Sequence, residues 1–203
     1  MSTQIDKALL DVRKAYRLLA DYQQRVLELL SFIREELDAS YYYQHFRNKL
    51  PRSLDQLERR EDGGEKLLPF NDVSVLWIRD SGQEDREHFH QKGDVLIDVF
   101  VRSDTGNGEE DEEFTSPESS RSELRIYFFL CVEPREESHN WYHKVWSQTD
   151  YPPLGKVTEC EGNPGYLMYG EALSLTELID EDATRKAIAG LRQRASAMLK
   201  HEI

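Results

Sequence analysis

The stretch IDKALLDVRKAYRLLADYQQRVLELLSFIREEL, residues 5–37, decides how the rest of the chain is arranged. Ile5, Leu9, Val12, Tyr16, Leu19, Val26, Leu30, Ile33 and Leu37 recur at alternating steps of four and three, and only Gln23 breaks the series. A strand alternates every second residue and cannot keep such a rhythm. Neither Gly nor Pro interrupts it, so the stretch predicts one helix about 50 Å long at 1.5 Å per residue.

Read as heptads, Leu9, Tyr16, Gln23, Leu30 and Leu37 share one core position, and Ile5, Val12, Leu19, Val26 and Ile33 share the other. Leu at the first with β-branched residues at the second disfavours a parallel two-stranded coil. Ala8, Ala15, Tyr22 and Leu29 widen the stripe beyond a two-stranded seam, which points to two neighbours. Two readings follow. The helix is either buried within its own subunit, or part of this face, with Leu9, Tyr16, Gln23 and Leu30 at its centre, meets a partner or a second copy. In the second case Gln23 sets the register, as a single buried polar residue does in coiled coils.

The 203 residues suit one structural unit with a sizeable core. The N-terminus is not a basic, apolar leader, and the longest apolar runs are about seven residues, too short to span a bilayer. Two cysteines, Cys131 and Cys160, are too few for a disulfide framework, so a cytoplasmic setting is expected. A net charge of −13 argues against a surface that grips nucleic acid through its phosphates. That charge is concentrated: residues 104–123 hold eight acids and one Arg, including Glu109, Glu110, Asp111, Glu112 and Glu113. This loop is expected to be mobile and is a candidate second contact for a basic partner.

Three parts are expected along the chain. Residues 1–50 hold the long helix and an aromatic cluster (Tyr41, Tyr42, Tyr43, Phe46) that packs the helix end on the body. The locally basic Arg47, Lys49, Arg52, Arg59 and Arg60 accompany it, and Ser53 is placed to cap a short helix through Arg60. Residues 51–172 form a mainly β unit with its acidic hairpin loop at 103–122. Its strands fall at Val73–Ile78, Val95–Val101, Glu123–Val132 and Tyr166–Tyr169, with a short amphipathic stretch at Ser138–Ser147. Residues 173–203 form a closing helix, opened by a Ser174/Glu177 capping box, that returns to the first helix.

For chemistry, Asp98 lies between Leu96 and Phe100 and requires a partner, because an unpaired buried charge is costly. A simple hairpin register supplies Arg125 or Tyr127. The element order, with Asp98 on the second strand and Glu123-Leu124-Arg125 opening the third, is similar to the metal-dependent nuclease fold marked by Asp followed by Asp/Glu-x-Lys. That resemblance implies metal-holding carboxylates at Asp98 and Glu123 over roughly residues 73–132. Arg125 stands in the place of the Lys and remains protonated, so it cannot serve as a base. His88 with His90, and His139 with His143, each supply at most two metal ligands, and a metal site needs three or four. No phosphate-cradling loop or Gly-x-Ser-x-Gly elbow is present in the sequence. No metal or cofactor is therefore expected.

The expected architecture is α+β: an antiparallel meander of about four strands packed with a long N-terminal helix and a C-terminal helix. The expected function is a non-enzymatic interaction or assembly subunit working through its helices, with the acidic loop as a second contact. A metal-dependent phosphodiesterase using Asp98, Glu123 and Arg125 is the alternative.

Overall fold

The computed structural model describes residues 4–46, 70–106, 116–134 and 137–203. The helix proposed at Ser53, the basic cluster from Arg47 to Arg60 and the acidic run Glu109 to Glu113 lie outside these residues. The chain is α+β: among the described residues, two α-helices are laid on one six-stranded antiparallel sheet.

Helix α1 spans Gln4–Glu36, within a residue of the heptad reading at each end. It ends where Asp38 takes a left-handed conformation (φ 49°), with the Ala39 amide bonded to the Arg34 carbonyl and the Asp38 amide to that of Glu35. Those two bonds satisfy helix-end carbonyls in the pattern of a Schellman motif.

The sheet comprises β1 (Ser40–Phe46), β2 (Asn71–Arg79), β3 (Val95–Arg102), β4 (Glu123–Cys131), β5 (Thr158–Glu159) and β6 (Tyr166–Ser174), in the order β1-β2-β3-β4-β6-β5. The four anticipated strands are all present, and two more flank them. The tyrosine-rich cluster is itself strand β1 on one edge, and the two-residue β5 closes the other. β3 is buried along its whole length, because both faces of the sheet are covered.

On one face, Trp77, Val95, Ile97, Val99, Ile126 and Phe128 meet Val26, Leu30, Ile33 and Leu37 of α1. Helix α2 (Glu181–Leu199) adds Ile188, Leu191, Ala195 and Leu199 to the same core. It is tied to α1 by two bonds: Arg192 Nη1 donates to the Glu36 carbonyl (3.1 Å) and Arg185 Nε to the Glu36 carboxylate (3.1 Å). Its start differs from the sequence reading. Ser174 caps only a 3₁₀ turn, Leu175–Glu177, and the cap of α2 is Asp180, whose carboxylate accepts the Ala183 amide at 2.8 Å. Asp competes equally with Ser for that role.

The other face holds a second core of Leu76, Ile78, Leu96, Phe100, Phe129 and Met168. The amphipathic stretch seals it as one π-helical turn, Trp141–Val145, running into a 3₁₀ turn, Trp146–Gln148. Trp141 and Val145 are fully buried there.

Candidate functional site

The heptad stripe of α1 is divided in two. Val26, Leu30, Ile33 and Leu37 are each no more than 6% exposed and belong to the chain's own core. At about 1.5–3 kcal/mol for each such side chain, they anchor the helix to the sheet. Tyr22 marks the boundary, its hydroxyl donating to Ser103 Oγ at 2.8 Å, and Gln23 beside it is half-buried. From Gln4 to Leu18 every residue is exposed. Ile5 (68%), Leu9 (50%), Val12 (48%) and Tyr16 (75%) therefore carry the stripe out into solvent. Of the four residues placed at a partner face, Leu9 and Tyr16 are free to meet another molecule. Leu30 is occupied in the core.

This exposed segment, here called the arm, is about 22 Å long. Its charges are mixed: Asp6 and Asp11 against Lys7, Arg13, Lys14 and Arg17. The exposed ion pair of Lys14 with Asp11, at 3.1 Å, stays within the helix surface. Leu10 and Leu18, also exposed, broaden the apolar area. Scattered single apolar residues are ordinary on a surface, whereas a continuous stripe is the mark of an interaction site.

A second constellation centres on Asp98, fully buried in the middle of β3. The register puts it opposite Tyr127, as expected, with Arg125 opposite Phe100. Its hydrogen bonds come from farther along the chain. Trp146 Nε1 donates to Oδ2 at 2.7 Å, the Tyr151 hydroxyl donates at 2.5 Å, and Ser74 Oγ lies at 3.4 Å. Tyr151 is held flat on Tyr127 (centroids 4.2 Å apart, planes 20°). The Tyr127 ring also lies on Gly170, where a side chain would collide with it. This column ties the aromatic seal to the central strand.

Arg125 is engaged by its neighbour Glu123, Nε to Oε1 at 2.6 Å. Glu123 sits opposite Arg102, four ladder positions from the Asp98–Tyr127 pair, a separation of about 13 Å along the strand. The structure thus keeps Asp98 and Glu123 apart. A buried ion pair absent from the sequence reading joins Arg102 Nε to Asp72 at 3.3 Å.

The histidines serve the seal. His90 stacks on Trp141 (3.7 Å, 12°), its Nδ1 faces the Tyr166 hydroxyl at 2.7 Å and its Nε2 the Glu87 carbonyl at 3.2 Å. Burial holds its pKa down to about 4, so the ring is neutral near pH 7. His88 bonds Asp85 (3.0 Å), and His139 bonds Asn163 (3.0 Å). Among the described residues no three His, Cys, Asp or Glu side chains converge as a metal-binding group. A shallow groove of about 430 Å³ lies beside His139, His143, Lys144 and Glu161. Cys131 and Cys160 are buried thiols, raised by that burial to about 11 and about 12.

The profile of the PM0109 family matches residues 2–200. The chain belongs to that family. A relative from Pasteurella multocida (strain Pm70), Uncharacterized protein PM0109, is 39% identical over 206 residues, which cover 98% of this chain and 98% of the relative. The family's span takes in both the arm and the sheet. No solved structure gives a significant match. Among the described residues, no helix is long and apolar enough to cross a membrane.

Proposed function

We propose that this protein is a non-enzymatic interaction or assembly subunit whose contact surface is the arm, residues 4–18. One observation carries the reading: a single heptad stripe runs the length of α1, yet its own chain buries only the C-terminal half. Folding does not reward Ile5, Leu9, Val12 and Tyr16, since they contribute no core packing. Binding does, because removing apolar surface from water favours association by roughly 25 cal/mol per Å² before the costs of ordering are met. The body meanwhile is self-sufficient, with both sheet faces sealed, so the arm is available without disturbing the fold. The acidic run Glu109 to Glu113 is proposed as a second contact, for a basic partner surface, on its charge alone.

The test uses the full chain and a Leu9→Asp/Val12→Asp variant, compared by light scattering across concentration and by affinity capture. The wild type is expected to self-associate or to retain a partner that the variant loses, with thermal stability unchanged. A wild-type chain that is monomeric at every concentration and captures nothing the variant does not would defeat the proposal.

A further inference from the structure

We propose that the arm docks on a second copy of this chain, as an antiparallel helix pair in which Asp6 of each copy faces the partner's Arg13. This rests on the reading of the arm as a contact surface and specifies its occupant.

Three observations converge. The first is side-chain shape. Leu recurs at one core position and β-branched residues at the other, a distribution that disfavours parallel dimers. In an antiparallel pair each layer combines one position of each kind, so Leu9 meets the partner's Val12 and Ile5 meets the partner's Tyr16. Each of these layers occurs twice by symmetry. The two flanks of the seam then place Ala8 against the partner's Ala15, small residues that let the helices approach closely, and Asp6 against the partner's Arg13.

The second is charge. Sliding one copy by a heptad in one direction sets Arg13 against the partner's Arg13. Sliding it the other way sets Asp6 against the partner's Asp6 and leaves only the Ile5–Leu9 layers. Parallel pairing brings the acidic and basic flank residues to the small, apolar flank of Ala8 and Ala15, with no ion pair. Only the stated register is self-complementary, and flanking charges are what fix orientation and partner choice in such pairs.

The third is length. The stated register is centred between Leu10 and Asp11, and the four layers use Ile5 to Tyr16, which falls within the exposed segment, residues 4–18. The register that pairs Arg13 with itself demands Ile5 opposite Gln23, beside Tyr22. There the body is already in contact, through the Tyr22 to Ser103 bond. The free length of the arm is therefore the length that this pairing covers. A seam of four layers is short, and a dissociation constant in the range of about 10–100 µM is expected.

Sedimentation equilibrium of the full chain, from about 1 to 500 µM, tests this with two charge reversals. Asp6→Arg turns both ion pairs into repulsions, as does Arg13→Asp, and each alone is expected to weaken the dimer on the order of thirtyfold. Mixed in equal amounts, the two variants restore both attractions and associate with each other as tightly as the wild type. An Ala8→Cys/Ala15→Cys chain is expected to form a covalent dimer on mild oxidation, since Cys131 and Cys160 are buried. A dimer indifferent to either reversal, or a mixture that does not recover, overturns the register. A wild type that stays monomeric overturns the second copy as occupant. If that monomer still captures another protein through Leu9, the contact-surface reading survives it, and if Leu9→Asp changes nothing in either assay, both readings fall.

Discussion

Replacing Gly170 by Ala tests the column that holds the aromatic seal to the sheet. A Cβ at this position would lie 2.2 Å from Tyr127 Cδ1 and 2.6 Å from Cε1, far inside van der Waals contact. Tyr127 has little room to shift, because Tyr151 is stacked on it at 4.2 Å and in turn donates to buried Asp98. Overpacking of this kind costs about 1–3 kcal/mol, and a rigid ring facing a Cβ belongs at the upper end. For a chain of this size, about 3 kcal/mol lowers Tm by roughly 6–12 °C. The assay is thermal unfolding followed by circular dichroism, with Tyr127→Ala alone and combined with Gly170→Ala. Removing the ring is expected to remove most of the added cost of the alanine, a coupling that a double-mutant cycle measures directly. Gly155→Ala is the control: nothing lies within 4 Å of its Cβ, so only the strain of its positive φ (75°) remains, about 1 kcal/mol. A Gly170→Ala protein that melts within a degree of the wild type, or costs that simply add, would refute the packing argument.

Other outcomes follow from the same core. Asp98→Ala leaves the Trp146 and Tyr151 donors unsatisfied and is expected to cost about 2–4 kcal/mol in urea unfolding, whereas Asp98→Asn keeps one acceptor oxygen and costs less. His90 is neutral when folded down to about pH 4, while the unfolded chain takes up its proton near pH 6.5. The unfolded state therefore binds more protons over that interval, so stability is lost as pH falls from about 6.5 to 4, by up to roughly 3 kcal/mol. His90→Gln is expected to flatten that part of the stability profile. Cys131 and Cys160 remain unalkylated by iodoacetamide at pH 8 in the native protein and both react in denaturant, which mass spectrometry reads directly.

What the sequence makes legible depends on how local the determining interaction is. The long helix and the four central strands declare themselves through periodicity, which each segment carries by itself. Strand β1 does not, because Ser40–Phe46 is an edge strand with a bulge between Tyr41 and Tyr43, so its side chains do not alternate cleanly between core and solvent. β5 is two residues long and has no periodicity to detect. Asp98 signals its need for donors through Leu96 and Phe100, but Trp146 and Tyr151 lie 48 and 53 positions away and are delivered by a turn whose path only the tertiary packing fixes. The same holds for Arg102 and Asp72, which pair through a bulge in β2. The stripe of α1 was legible throughout, yet its division at Tyr22 was not, since that boundary is set by where the sheet ends.

The rod has no proline, glycine or break between Gln4 and Glu36, and only its base is clamped. It therefore works as a lever: tilting the clamp by about ten degrees sweeps the tip through roughly 4 Å. The aim of whatever sits on Ile5 and Leu9 is thus decided far from it, by how Val26, Leu30 and Ile33 seat against the β-layer, and a cavity opened there would misdirect the tip without touching it.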